Sequence, residues 1–361
     1  LGHGLQGTLL GVRAINEGFS FFSTGLIIAG YFIGFLIGSI LIPFFVERVG
    51  HIRVFAALAS LASIAILLHS IFIYEYYWFF IRILTGLSLS GIFIIMESWL
   101  NNKSDNQNRG KLLSFYLIIT FFFSGIGNFL LNVSDPNKVD LFILVSVLLS
   151  LALVPILLSA SNAPEFSNPK RISLKELYII SPLGFVAALI TGLAHGSIFG
   201  YGAVYAVAKE LSIFNISIFM VTISFFGSLF QWPIGFLSDK FDRRLILIVI
   251  TFAAAIFSIF IVIFSYLSLV IFFAIVALYS GMCLPMYSLA IAHINDFIKQ
   301  EEIVSVASSF TILVGIGAIL GPIISSIFMN IFGVDGFFVF LFFIHIFLGL
   351  FGIYRMSKRS K

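Results

Sequence analysis

The sequence predicts an all-α polytopic membrane protein, built as two six-helix bundles related by a pseudo-two-fold axis along the membrane normal. Three observations carry that prediction. Hydrophobic residues make up 60% of the 361-residue chain and charged residues 10%, with a mean hydropathy of +1.13; a soluble protein of this composition would have too little polar surface to coat itself. Apolar runs of roughly 20 residues recur along the chain, enough to cross a ~30 Å hydrocarbon core at ~1.5 Å per residue, whereas a β-barrel would need alternating strands of ~10 residues. The chain also repeats itself. GFLSDKFDRR, from Gly235 to Arg244, has a weaker copy in PFFVERVGHIR, from Pro43 to Arg53, and Pro43, Glu47 and Arg48 each stand 192 residues before Gly235, Asp239 and Lys240.

Hydropathy places the first six spans near 1-14, 22-46, 53-73, 76-98, 112-133 and 140-160. The first is too short to cross and the chain opens on Leu1, so part of the first helix is expected to be missing. No basic region, apolar run and cleavage site occur in succession at the start, so insertion is expected to rely on the spans themselves. A polar stretch, SNAPEFSNPKRISLKE, follows, and the remaining spans lie near 183-208, 213-237, 245-266, 268-293, 305-330 and 335-355. The predicted organisation is a half over 1-160, a linker over 161-182 and a second half over 183-361 with a short basic tail. A second internal match, GIFIIM (Gly91 to Met96) against GMCLPM (Gly281 to Met286), sits at an offset of 190. An even number of spans per half makes the repeats parallel and predicts a cavity between the halves.

Lys and Arg crowd into alternate connections, while the opposite loops hold only Lys138 and Lys209. The positive-inside rule then places the central linker and the C-terminus in the cytoplasm. The net charge of +4 is read as this topology signal, and no nucleic-acid surface is expected. Cys283 is the only cysteine, which rules out an intrachain disulfide and a thiolate metal site. HExxH and a Gly-rich phosphate loop ending in Lys-Ser or Lys-Thr are both absent from the sequence. No metal, cofactor or enzymatic activity is expected.

GFLSDKFDRR resembles the signature loop that joins the second and third helices of each half in the major facilitator superfamily, and the resemblance covers the whole chain. GLQGTLLGVRA, YFIGFLIGS, ERVGHIRVFAALAS and ESWLNNKSDNQNRGKLLSFY are similar to the bacterial YcaD-like subgroup. The resemblance implies twelve helices, alternating access and an inner-membrane location. It also implies that the signature loops latch the two halves on the cytoplasmic side. Asp239 and Glu47 would pair with nearby Arg and complement a helix N-terminus, with Gly50, Gly235 and Lys240 in the loops and Arg48, Arg53, Arg243 and Arg244 as gate partners. Solvated topogenic charge is the competing reading. Pro43 replaces the glycine in the N-terminal copy and is expected to kink the end of the second helix. Glu97 and Arg109 would extend the charge network across the same face.

Arg82 is the sharpest single residue. About six residues into the fourth span, it lies ~9 Å below the outer interface at ~1.5 Å per residue. Such a charge is costly and ordinarily faces an aqueous path or a partner. Within the family an RxxxG arginine, here Arg82 to Gly86, often lines the cavity. It could bind an anionic substrate, influence a proton site or snorkel outward. Arg13 is expected to pair with Glu17. The other candidates for solute binding are Gln6, Asn128, His195, Tyr201 and Tyr279, each weighed against a packing role. Gly315, Gly321 and Pro322, in GIGAILGP, are read as helix-packing or hinge residues. This run resembles an antiporter element of the fifth helix but lies in the other half, so the antiporter signature is not met.

All 16 acidic residues fall in loops or near span ends, which weighs against proton-coupled export of cationic drugs. The leading expectation is therefore a secondary or facilitative transporter of a small polar or anionic organic solute, monomeric in the bilayer, with a proton as the candidate coupling ion. Multidrug or metabolite efflux is the first alternative and a non-transporting solute sensor the second.

Overall fold

The computed structural model describes residues 1–103, 109–158, 172–299 and 302–358. Among these, every long element is a helix, and ten helical segments are long and apolar enough to cross a membrane. The chain packs as two compact units: unit 1 is Leu1–Asn168 with Leu211–Ser217, and unit 2 is Pro169–Glu210 with Ile218–Lys361.

In unit 1 the helices are α1 (Gly2–Asn16), α2 (Phe21–Val49), α3 (His51–Ile71), α4 (Glu75–Lys103), α5 (Arg109–Phe129), α6 (Asp140–Leu151) and α7 (Leu153–Leu157). Ser20 starts α2 by accepting the Ser23 N–H at 3.0 Å, supplying a partner for one of the four amides a helix start leaves open. Gly50 ends α2 and starts α3 at φ +87°, a left-handed value that a side chain would resist. Pro43 lies inside α2, which continues through it to Val49. The dominant packing is α2 along α4, with α3 on α4 and α6, and α1 on α5 and α6. Arg13 holds Glu17 at 2.6 Å, as their i,i+4 spacing predicts.

Unit 2 begins with α8 (Leu174–Ile180), a short helix inside the stretch expected to be linker. Ser173 and Glu176 close a capping box on it, and the S-x-x-E spacing is its sequence signal. There follow α9 (Pro182–His195), a π-helical turn over Gly196–Tyr201, α10 (Gly202–Ala208), α11 (Ile213–Leu229), α12 (Gln231–Lys240), α13 (Arg243–Phe264), α14 (Leu269–Cys283), α15 (Met286–Asn295), α16 (Ile303–Phe332) and α17 (Gly336–Lys358). Three predicted spans of the second half are thus interrupted: 183-208 by the π turn, 213-237 at Phe230, and 268-293 at Leu284 and Pro285. At the last of these, proline lacks the N–H that would continue the ladder. The packing pairs α9 with α16 and α13 with both α17 and α14.

Candidate functional site

Among the described residues Arg82 is the only Lys, Arg, Asp or Glu that is buried, at 5% exposure. It sits two turns into α4, with its guanidinium carbon 4.7 Å from the centroid of the Tyr31 ring. Its Nε has no hydrogen-bond partner, and among the described residues no ion pair reaches it.

Two glycines put it there. A Cβ on Gly86 would fall 1.9 Å from the Tyr31 carbonyl oxygen, and one on Gly34 would fall 1.9 Å from that of Ile83. Only bare backbone allows α2 and α4 to approach so closely. Side chains on a helix lean toward its N-terminus, so Arg82, one turn before Gly86, lies back over the ring that Gly86 brings near. The RxxxG spacing therefore has a packing cause. The side chain is buried within unit 1.

The energetics leave this cation short of a partner. A desolvated cation–π contact contributes ~2 kcal/mol, whereas placing Arg in the membrane interior costs ~2.5–3.5 kcal/mol on the lowest scales. An anion would offset the difference. His3 stacks on Tyr31 at 6.0 Å between ring centroids and meets Phe93 edge-on at 5.8 Å. Phe35 lies 6.0 Å from Tyr31 and 6.4 Å from Phe93, closing a circuit of four rings. His3 and His69 both stand within electrostatic reach of Arg82. Gln6, three residues after His3 on α1, is 1% exposed, and neither its amide nitrogen nor its oxygen has a hydrogen-bond partner.

Asn128 is already engaged. The Thr8 hydroxyl donates to its side-chain oxygen, and its amide donates to the Ser124 carbonyl at 3.1 Å. It ties α1 to α5, and a solute would have to compete with Thr8.

In unit 2, His195 ends α9 just before the π turn. Its ring stacks on Tyr287 at 6.5 Å, is hydrogen-bonded to the Cys283 backbone, and leaves Nε2 buried without a partner. Tyr279 is fully enclosed, its hydroxyl 3.1 Å from Nε2 of His345 on α17 and 3.5 Å from Sγ of Cys283. That makes it a polar tie between α14 and α17. Tyr201 is buried beside Phe337 at 6.5 Å. The small-residue contact between α9 and α16 belongs to Gly317 and Gly321, whose Cβ atoms would each fall 2.3 Å from a carbonyl oxygen, of Leu189 and Leu193 respectively. Gly315 is half-buried, and Pro322 lies within a continuous α16. Among the described residues no group of three His, Cys, Asp or Glu is placed to hold a metal.

The two signature loops differ. In the C-terminal copy Arg243 bridges Asp239 at 3.2 Å and Asp296, just past α15, at 3.4 Å. Asp242 caps α13 and holds Arg244 at 2.6 Å, and these hydrogen bonds from Arg244 keep its carboxyl below the usual range. Gly235, Ser238, Asp239 and Arg243, with Pro285, Ser288, Leu289 and Ala292, line a cleft of about 170 Å³. Lys240 lies over Phe236 at 4.2 Å. Asp296 escapes sequence reasoning because it lies 53 residues beyond Arg243 and outside the repeated motif. In the N-terminal copy Glu47, Arg48 and Arg53 are exposed, and Arg48 covers Phe44 at 4.8 Å. Among the described residues none of the three forms an ion pair; a partly buried link there joins His51 with Ser98 at 3.1 Å. Glu97 is exposed, and the Arg109 side chain lies outside the described residues.

The profile described as Major Facilitator Superfamily matches residues 1–293 and again 229–361. Two curated relatives, the "Uncharacterized MFS-type transporter YcaD" of Escherichia fergusonii and that of Shigella flexneri serotype 5b, are each 24% identical over 90% of this chain and 84% of their own. Among solved structures, the nucleoside transporter NupG superposes with a TM-score of 0.81 at 14% identity, covering 99% of this chain and 97% of its own. A D-xylose-proton symporter gives 0.71 at 14% identity, with 98% and 96% covered. An inward-facing, occupied bacterial homolog of the lysosomal transporter Spinster gives 0.74 at 16%, with 99% and 95% covered.

Proposed function

This chain is a multi-pass membrane transporter of the major facilitator superfamily, and on that premise we propose that it moves a small anionic or polar organic solute by alternating access, with Arg82 as the anchor for the solute. The observation that carries this reading is the buried guanidinium of Arg82, which has an aromatic face beneath it and no carboxylate partner among the described residues. A buried charge without a counter-ion calls for one.

In this reading Gln6 supplies a hydrogen bond to the solute. His195, with a free ring nitrogen at the π turn, is the candidate carrier of a coupling proton. Asn128, Tyr201 and Tyr279 support it by packing. The Asp239–Arg243–Asp296 network, with Gly235, Lys240 and Arg244 around it, stabilises one state of the cycle. Glu47, Arg48, Gly50, Arg53, Glu97 and Arg109 are its counterparts in the N-terminal half. The protein works as a monomer in the inner membrane, with the linker and C-terminus in the cytoplasm, as the distribution of Lys and Arg supports.

Efflux of lipophilic cations is the second reading, and the absence of a buried Asp or Glu among the described residues weighs against it. The test is thermal stabilisation of the purified protein by carboxylates, sugars, nucleosides and lipophilic cations, beside Arg82→Ala. A ligand that prefers the folded state raises stability. Stabilisation by carboxylates that disappears in the variant is the expected result. Stabilisation by cations in both proteins would remove Arg82 from the site and favour efflux.

A further inference from the structure

The site around Arg82 offers more than a positive charge, and resting on the reading above, we infer that its preferred solute is a small monoanion with one carboxylate on a planar, largely apolar body, such as an aromatic monocarboxylic acid. Charge comes first. The buried interior of the described structure contains one fixed charge, Arg82. A single carboxylate brings the site to neutrality, whereas a dianion would leave a negative charge in low dielectric without a partner. A zwitterion would bring an ammonium group for which the site holds no buried carboxylate.

Geometry sets the rest. Tyr31 occupies one face of the guanidinium at 4.7 Å, which leaves the in-plane N–H groups, including the unpartnered Nε, for a carboxylate in the fork arrangement arginine favours. The rings of His3, Tyr31, Phe35 and Phe93 close into a circuit with neighbouring centroids 5.8 to 6.4 Å apart. That wall matches a flat apolar body better than a polyhydroxylated sugar, which needs several hydrogen-bond partners. Gln6, one turn from His3 on α1, adds one unsatisfied amide, enough for a single ring nitrogen or hydroxyl. Tyr31 on α2, His3 on α1 and His69 on α3 are the titratable groups that interact electrostatically with Arg82.

The full-length protein in lipid nanodiscs is titrated with benzoate, its neutral analogue benzamide, the dianion phthalate, uridine and xylose, following thermal stabilisation and competition against radiolabelled benzoate. Benzoate is expected to bind at least ~10-fold more tightly than benzamide or phthalate, and Arg82→Lys and Gln6→Glu are expected to weaken it by ~10-fold or more, a factor that corresponds to ~1.4 kcal/mol. Gln6→Glu puts a carboxylate one turn along α1 from His3, in the place of the unpartnered amide, and is expected to compete with the solute without emptying the site. Equal binding of benzoate and phthalate would overturn the inference and leave the anion-carrier reading standing. Preference for uridine, xylose or benzamide, unchanged in Arg82→Lys, would overturn both. No response to benzoate from a wild-type protein that still melts cooperatively would also overturn the inference.

Discussion

At the scale of single residues, Arg82 shows how much of a site a sequence exposes. One Arg inside an apolar span is conspicuous, and hydropathy alone is enough to single it out as a charge below the membrane surface. Its partner is not legible in that way: Tyr31 is 51 residues upstream, and no spacing rule links two helices of a bundle. The signal that points toward the partner is the Gly30, Gly34, Gly38 stripe of α2, a small-xxx-small series that marks a close helix contact. Replacing Arg82 with Ala is expected to abolish saturable uptake in proteoliposomes while leaving insertion intact. Normal uptake would remove the residue from the site. Tyr279 gives the contrasting case. Its hydroxyl is hydrogen-bonded with both His345 and Cys283, so Tyr279→Phe leaves buried polar groups short of a partner, and the expected cost is ~1–3 kcal/mol of stability with transport kept. A transport defect at unchanged melting temperature would place the tyrosine in the solute path instead.

At the scale of the element, helix number and order are legible because hydropathy senses length and composition, whereas helix interruptions are not. The break at Pro285 has a sequence cause, but the π turn over Gly196–Tyr201 arises where α9 meets α16 through Gly317 and Gly321, a tertiary contact. Gly86→Val should be the most damaging small change in unit 1. Its Cβ would collide with backbone rather than with a flexible side chain, so α2 and α4 must separate. The expected outcome is failure to recover folded protein by size-exclusion chromatography, while Gly235→Ala, whose Cβ would meet no atom within 4 Å, is recovered normally. The capping box of α8 predicts a pH effect. Hydrogen bonds from Ser173 lower the Glu176 carboxyl below its unfolded value. Its contribution to α8 is therefore present above the unfolded pKa of ~4.3 and lost as pH falls through the lower folded value. Hydrogen exchange of the α8 amides should quicken over that acid range and stay flat at neutral pH.

At the scale of the whole molecule, the duplication is clear in sequence and unequal in structure. The C-terminal signature loop carries an ion network reaching from the end of α12 to the end of α15, and the N-terminal copy has exposed charges with a partly buried His51–Ser98 contact. The sequence hints at the inequality through Pro43 and Glu47, but the third member, Asp296, lies outside the repeat and only folding brings it in. Asp239→Asn is expected to slow exchange between states while sparing solute affinity, with uptake rate and equilibrium binding as the two readouts. Equal loss of both would mean that the loop acts through folding. The corresponding change at Glu47 should have the smaller effect, because that side chain makes no ion pair among the described residues.

Such conformational exchange can be followed directly, because of the one thiol the chain possesses. Cys283 is wholly enclosed and accepts a hydrogen bond from Tyr279, out of reach of water-soluble maleimides and methanethiosulfonates. This chain is thus expected to be silent toward these labels without any residue being replaced. Pairs of cysteines placed at helix ends would take up spin or fluorescent probes at the chosen positions alone, and the distances between them would report the transport cycle in an otherwise unaltered chain.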